Sequence, residues 1–286
     1  FTLPNQSFAA MARSPYPHAL INGIDTAKAL AMPGVLAVIT GADIQKAGLG
    51  PIPHNPIPST KYDLKLRAPD GTHATIDAHY LLPEDRVRYV GEAVAMVVAD
   101  SLQHALDAVE EIFIDYFVLP HISESKDAIL PSAPQLYEHI ENNVLIDTKF
   151  GDQALTDQAF AKASHVVEHE FHIQRVTGVT MEPRSALGSY DADAGKFTLI
   201  AGSGGAVRQQ SEIAAVLGID TSDIRVISPD VGGNFGTRNR VYIEFGLVLF
   251  AAKKINRPVK FTATRSESFL TDYQGRDLVT NIALAL

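Results

Sequence analysis

The residues best suited to chemistry lie in one short stretch, Asp230-Val231-Gly232-Gly233-Asn234-Phe235-Gly236. Glycines at 232, 233 and 236 let bare backbone N–H groups approach an anionic or oxo-bearing ligand, and a helix beginning near Arg240 adds the positive end of its dipole. Phe235 stands among them, an aromatic at a glycine-rich tip, suited to packing on something planar. Glycines also serve a plain strand-to-helix turn, and the segment alone leaves both uses open.

Two other stretches carry motif-like spacing. In Ala201-Gly202-Ser203-Gly204-Gly205-Ala206-Val207-Arg208 a strand, glycines and a helix follow in the order of a dinucleotide-binding turn, but the glycine that spacing requires at 207 is Val207. His165-Val166-Val167-Glu168-His169 spells the inverted zinc-peptidase motif, which needs both histidines on one helix face. Val166, Val167, Phe171 and Ile173 give strand composition instead, and a strand spaces the two rings about 13 Å apart, too far for one zinc. His165, His169 and His172 are therefore read as partly solvated strand residues.

Composition narrows the classes. With 286 residues, 46% hydrophobic and 20% charged, the chain can bury a substantial core as one large or two ordinary domains. The net charge of -9 without a basic cluster disfavours nucleic acid and anionic membranes. The absence of cysteine rules out disulfides, thiolate metal sites and cysteine-ligated iron-sulfur clusters within this sequence. No apolar run approaches the roughly 20 residues that span a bilayer, and FTLPNQSFAA lacks the regions of a signal peptide, so a cytoplasmic protein is expected. The start at Phe1 and the stop inside the alternating run Leu278 to Leu286 suggest a fragment or one piece of a split subunit.

These motifs need elements to hold them. Val35 to Thr40 reads as a buried strand, and Gly50 to Pro69, with five prolines, as a long surface loop. Val94 to Val98 and Ile112 to Val118 read as strands flanking a helix capped by Asp100 or Ser101, with an apolar face of Leu102, Ala105, Leu106, Val109 and Ile112. A proline-bearing stretch at 121–142 reads as a linker. Beyond it, helices are expected near 153–163, 206–217 (ended by Gly218) and 239–254, with strands near 164–173, 187–191, 196–201, 224–228 and 258–263. The class is α/β to α+β.

The run Val226 to Arg265 resembles the molybdenum hydroxylase pattern "pdvGGgFG", a helix, then "rPVkw…tReE". Five further segments are similar in order: Arg13-Ser14-Pro15 with His18; Pro33-Gly34-Val35; Val87 to Glu92; Tyr116 with Leu119-Pro120; and Met181-Glu182-Pro183-Arg184. Together they cover essentially the whole chain, and they resemble the large-subunit family of xanthine dehydrogenase, aldehyde oxidase and carbon monoxide dehydrogenase.

The resemblance implies an α/β hammerhead domain at 1–120, a linker at 121–142 and the N-terminal part of a molybdopterin-binding domain at 143–286. It implies a molybdenum-bearing molybdopterin, in the cytosine dinucleotide form, against Gly204, Gly232, Gly233, Asn234, Phe235 and Gly236, with Arg265 toward substrate. The last carries a competing reading, an arginine at a strand end paired with Glu267 or another carboxylate. Glu182 reads as a turn-forming carboxylate. The implied activity is hydroxylation of an aldehyde or N-heterocycle with oxygen from water, or oxidation of carbon monoxide, by a dimer of heterotrimers. An iron-sulfur small subunit, an FAD-binding medium subunit and the missing C-terminal half of the large subunit are the implied partners, and the catalytic base lies in that half. The alternative is a non-catalytic fragment or scaffold paralogue. Departures stand at three positions. Asn234 replaces a glycine, Asn239 stands where xanthine-oxidising members carry a substrate-binding glutamate, and no glutamine occupies the place near Gly204 where the family bonds a metal oxo group. Either the glycine amides around Gly204 serve instead, which is the preferred reading, or Gln209 or Gln210 reaches in, or this half of the site is weakened.

Overall fold

The computed structural model describes residues 1–54, 61–72, 74 and 76–286, so Pro56 and Pro58 of the proline-rich stretch lie outside the described residues. In chain order the elements are β1 (Ser7–Arg13), β2 (Ala19–Asp25), α1 (Ala27–Leu30), β3 (Val35–Thr40), α2 (Gly41–Lys46), β4 (Arg86–Val87), β5 (Ala93–Ala99), α3 (Leu102–Glu110) and β6 (Phe113–Val118). There follow α4 (Ser125–Ala128), α5 (Gln153–Lys162), β7 (Val166–Ile173), β8 (Val176–Thr177), β9 (Ser185–Asp191), β10 (Lys196–Ala201), α6 (Ala206–Leu217) and β11 (Ile224–Ile227). The last are α7 (Ile243–Ile255), β12 (Val259–Thr262), α8 (Arg265–Thr271), β13 (Gln274–Gly275) and β14 (Leu278–Ala285). The chain divides into two compact units, one of residues 1–54, 78–119 and 178–273, the other of 55–77, 120–177 and 274–286.

The first unit is built on a seven-stranded mixed sheet in the order β11-β10-β9-β12-β1-β5-β3. Strands from before and after residues 121–142 meet at its centre, where β1 runs parallel to β12 and Ser7 pairs with Val259. All seven residues of β5 are buried, as expected of a continuous apolar run inside a sheet covered on both faces. Strand β1 escaped the sequence reading because SFAAMAR has no β-branched residue, and its place between β5 and β12 overrides that weak propensity.

Helix α7 starts at Ile243, later than the residue 239 expected, because Thr237–Asn239 forms a separate 3-10 turn. It is apolar nearly all round and lies flat on the sheet. A Cβ at Gly188 would stand 2.8 Å from the carbonyl carbon of Val248, so glycine is what permits that approach. The expected apolar face of α3 is also corrected. Ala105 and Ala108 are buried while Leu102 and Leu106 remain exposed, because small side chains let the helix close on β1 and β5.

In the second unit β7 and β14 form an antiparallel ribbon from Val166↔Ala285 to Ile173↔Leu278. Alternation places Val167, Phe171 and Ile173 with Leu278, Ile282 and Leu284 on one face, all exposed, while Glu168, Glu170 and His172 share the other with Asn281. The strand holds His169 and His172, which removes the helical geometry a zinc peptidase needs. Among the described residues, no group of three or more His, Cys, Asp or Glu could hold a metal ion. Ala74 is the single buried residue among those described in this unit. A two-stranded ribbon without a core is marginal by itself. No helix among the described residues is long and apolar enough to cross a membrane.

Candidate functional site

The glycine loop leaves β11 at Ile227 and enters the 3-10 turn at Thr237. Its backbone takes left-handed dihedrals at Gly233 (φ 114°), Phe235 (φ 48°) and Gly236 (φ 89°). Only the non-glycine among them is strained, and Phe235 is 74% exposed, its ring edge near Gly233 and most of its surface uncovered. Several loop amides are already committed. Gly232 N donates to Oε2 of Glu182 at 2.7 Å, Gly236 N to Oδ1 of Asn234 at 2.9 Å, and Thr237 N to the Asn234 carbonyl at 3.0 Å. The amides of Gly233, Asn234 and Phe235 carry no hydrogen bond among the described residues.

The loop rests on residues 178–184. Glu182 N donates to the Gly232 carbonyl at 3.2 Å while its carboxylate accepts the Gly232 amide, a reciprocal pair. Glu182 is thus not a local turn former, as the sequence suggested, but a tie across fifty residues. Arg238, only 3% exposed, donates through Nη2 to Thr180 Oγ1 and to the Glu182 carbonyl, both at 2.7 Å. Thr180 Oγ1 donates to the same Glu182 carbonyl at 2.7 Å. Met181 beside them is 86% exposed.

Arg265 does not sit at a strand end. It opens α8, whose capping box joins Thr264 and Glu267, and its Nη1 and Nη2 donate to the carbonyls of Thr180 and Met181 at 2.7 and 2.6 Å. Glu267 pairs instead with Arg13 Nε at 2.8 Å. Beneath lies a buried charge cluster: Arg184, 2% exposed, meets Glu244 at 2.7 Å, pairs with Asp272 and stacks 4.2 Å from the Tyr242 ring centroid. Burial alone would raise the Glu244 pKa and lower that of Arg184. Mutual attraction overrides burial in both, holding Glu244 below its ordinary value and Arg184 above.

The stretch around Gly204 corrects an expectation. Gly204 N donates to the Arg238 carbonyl at 3.1 Å, Gly205 N to Ser203 Oγ at 2.8 Å and Ser203 N to Ser228 Oγ at 3.1 Å, so none of these amides faces a ligand. The glutamines do not reach in either. Gln210 Nε2 donates to the carbonyls of Thr221 and Ile224, and Gln209 is fully buried with Nε2 toward the Gly202 carbonyl. A Cβ at 204 would collide with the carboxamides of Asn239 and Asn234, which bond each other at 3.0 Å. The three sequence departures are therefore one steric arrangement.

Six sequence-predicted residues come together as one wall: Gly204 behind, then Gly232 to Gly236 with Phe235 outermost. Of these only Gly233, Asn234 and Phe235 keep donors open. The surface offers an aromatic face beside three consecutive N–H groups without a partner among the described residues, which suits a planar ligand bearing acceptor or anionic atoms. Thr180, Glu182 and Arg238 support the wall; only Glu182 carried a sequence signal.

Residues 136–286 match the family described as the molybdopterin cofactor-binding domain, and residues 1–120 the aldehyde oxidase and xanthine dehydrogenase a/b hammerhead domain. The carbon monoxide dehydrogenase large chain of Afipia carboxidovorans is 30% identical over 99% of this chain and 34% of its own length. The nicotine 6-hydroxylase large subunit of Paenarthrobacter nicotinovorans is 33% identical, over 98% and 32%. The structure of quinoline 2-oxidoreductase from Pseudomonas putida 86 superimposes with a TM-score of 0.86 at 30% identity, over 100% of this chain and 34% of that one. The chain spans about a third of the length of the curated relatives it matches.

Proposed function

We propose, for a chain that belongs to the molybdopterin cofactor-binding domain family, that it forms part of the molybdenum-bearing large subunit of a cytoplasmic oxidoreductase. The substrate class proposed is an aldehyde or N-heterocycle hydroxylated with oxygen from water, or carbon monoxide, in keeping with relatives named for carbon monoxide and nicotine. The observation that carries the reading is the exposed Phe235 ring beside the uncommitted amides of Gly233, Asn234 and Phe235. A molybdopterin has both a flat ring system and acceptor oxygens, so these residues fit it. When bound, the cofactor supplies the two-electron redox chemistry.

The work of this chain's residues is then to hold and orient. Phe235 would pack on the flat group and the three amides would donate to its acceptor atoms, while the bonds of Glu182 to Gly232 and of Arg238 to Glu182 hold the loop in place. No residue here is assigned as the catalytic base. The cytosine dinucleotide form of the cofactor, an iron-sulfur small subunit, an FAD-binding medium subunit and a dimer of heterotrimers complete the proposal. The absence of cysteine from these 286 residues is consistent with iron-sulfur clusters held outside them. The second unit, with Ala74 alone buried among its described residues, leaves its apolar ribbon face for the remainder of the large subunit.

The test is titration with molybdopterin. The 286-residue chain alone should bind weakly or not at all, the complete subunit tightly; stoichiometric tight uptake by the chain alone would contradict the division of the site. Turnover of the assembled complex with aldehydes, N-heterocycles and carbon monoxide decides the substrate.

A further inference from the structure

Three consecutive carbonyl oxygens, those of Thr180, Met181 and Glu182, are each taken by an arginine. Arg265 spans the first two with its two terminal nitrogens, and Arg238 takes the third. Such capture orients the peptide planes and leaves the chain before them under constraint: Val179 lies at φ 40°, a left-handed conformation that a β-branched residue adopts only where its surroundings impose it. The same residues end in Glu182, whose carboxylate and amide both bond Gly232.

Arg265 is itself held from the other side. Its helix is started by the Thr264 and Glu267 capping box, and Glu267 Oε1 accepts from Arg13 Nε on β1. A continuous set of bonds therefore runs from the central sheet through Glu267 and α8 to Arg265, on to residues 180–182, and across Glu182 to the glycine loop.

We infer that Arg265 is a positioning residue, a brace that sets the glycine loop through Glu182, rather than a group that touches substrate. Both terminal guanidinium nitrogens already donate to main chain, and the planar fork matches two adjacent carbonyls in a way a lysine ammonium does not. The role of the loop in holding cofactor rests on the function proposed above; the brace does not.

The experiment compares Arg265→Ala and Arg265→Lys in the 286-residue chain by residue-resolved amide exchange, with the unfolding midpoint recorded alongside. The brace predicts that exchange at Gly232 rises about tenfold or more in Arg265→Ala, the size of one lost charge-assisted hydrogen bond. Arg265→Lys should fail to restore protection. Guanidinium chloride at sub-denaturing concentration should restore it in Arg265→Ala, and sodium chloride should not. Unchanged protection at Gly232 overturns the brace, as does full rescue by lysine. If Arg265→Ala unfolds the chain, Arg265→Lys decides alone: raised exchange at Gly232 with a folded core supports the brace, native protection overturns it. In the assembled enzyme the brace taken together with the cofactor reading predicts lost cofactor content with unchanged KM in the molecules that keep it, whereas raised KM with Gly232 protection and cofactor content unchanged makes Arg265 a substrate contact and overturns the brace. Lost Gly232 protection with full cofactor content supports the brace and counts against the cofactor reading alone.

Discussion

The Asn234 side chain donates through Nδ2 to Oδ1 of Asn239 at 3.0 Å, and this pair fills the volume that any side chain at position 204 would enter. A glycine at 204 is thus the consequence of two asparagines thirty and more residues away. The first prediction follows: Gly204→Ala costs roughly 1–3 kcal/mol, the range for overpacking. Adding Asn239→Ala should recover most of it. A double-mutant cycle by urea unfolding checks the coupling, and additive costs would refute it.

Phe235 combines a strained backbone with a side chain that packs on little. Phe235→Gly should therefore leave stability unchanged or raise it by about 0.5–1 kcal/mol through relief of the left-handed conformation. Cofactor content of the complete subunit should fall at the same time. Differential scanning calorimetry and molybdenum analysis on one preparation measure both.

Glu92 is buried, and burial pushes its pKa up from near 4.5 to about 7 although it accepts the Arg88 amide at 2.6 Å. The folded state then holds this proton more tightly than the unfolded one, so the group stabilises the fold below about 4.5 and that contribution is lost as pH rises to about 7. Glu92→Gln keeps the acceptor and removes the titration. It should gain on the order of 1–3 kcal/mol over the parent at pH 8 and little at pH 4, read from chemical unfolding at both pH values.

Glu244 behaves in the opposite sense. Its carboxylate lies between Arg184 and Arg13, which hold its pKa below the ordinary value against the effect of burial. Its contribution is present above the unfolded pKa and disappears as pH falls through the folded one. Glu244→Gln, leaving Arg184 with less countercharge, should cost roughly 3–5 kcal/mol at neutral pH. That cost should shrink in acid, and a pH-independent penalty would contradict the ion-pair account.

Much of this was readable from residue order. Gly218 ends α6 in a left-handed conformation as its sequence position suggested, and the valine-rich run at 94–98 became the fully buried β5. Phe235 at a glycine-rich tip proved exposed. What stayed hidden depends on distant partners. Strand β1 is alanine-rich and extended only because β5 and β12 flank it. The amide of Gly204 looked free, but it belongs to the Arg238 carbonyl. Glu182 and Gly232 stand fifty residues apart, and nothing local announces their bond. Arg265 was misplaced at a strand end, although Thr264-Arg265-Ser266-Glu267 has the spacing of the capping box that puts it in a helix.

The central claim is that the main chain at 233–235 is left open to receive a ligand. Residue-resolved amide exchange on the complete subunit, with and without molybdopterin, tests it most directly. The account predicts new protection at Gly233, Asn234 and Phe235 on loading and little change at Gly232 and Gly236, whose amides are already bonded. Loading that leaves those three amides exchanging as before would contradict it.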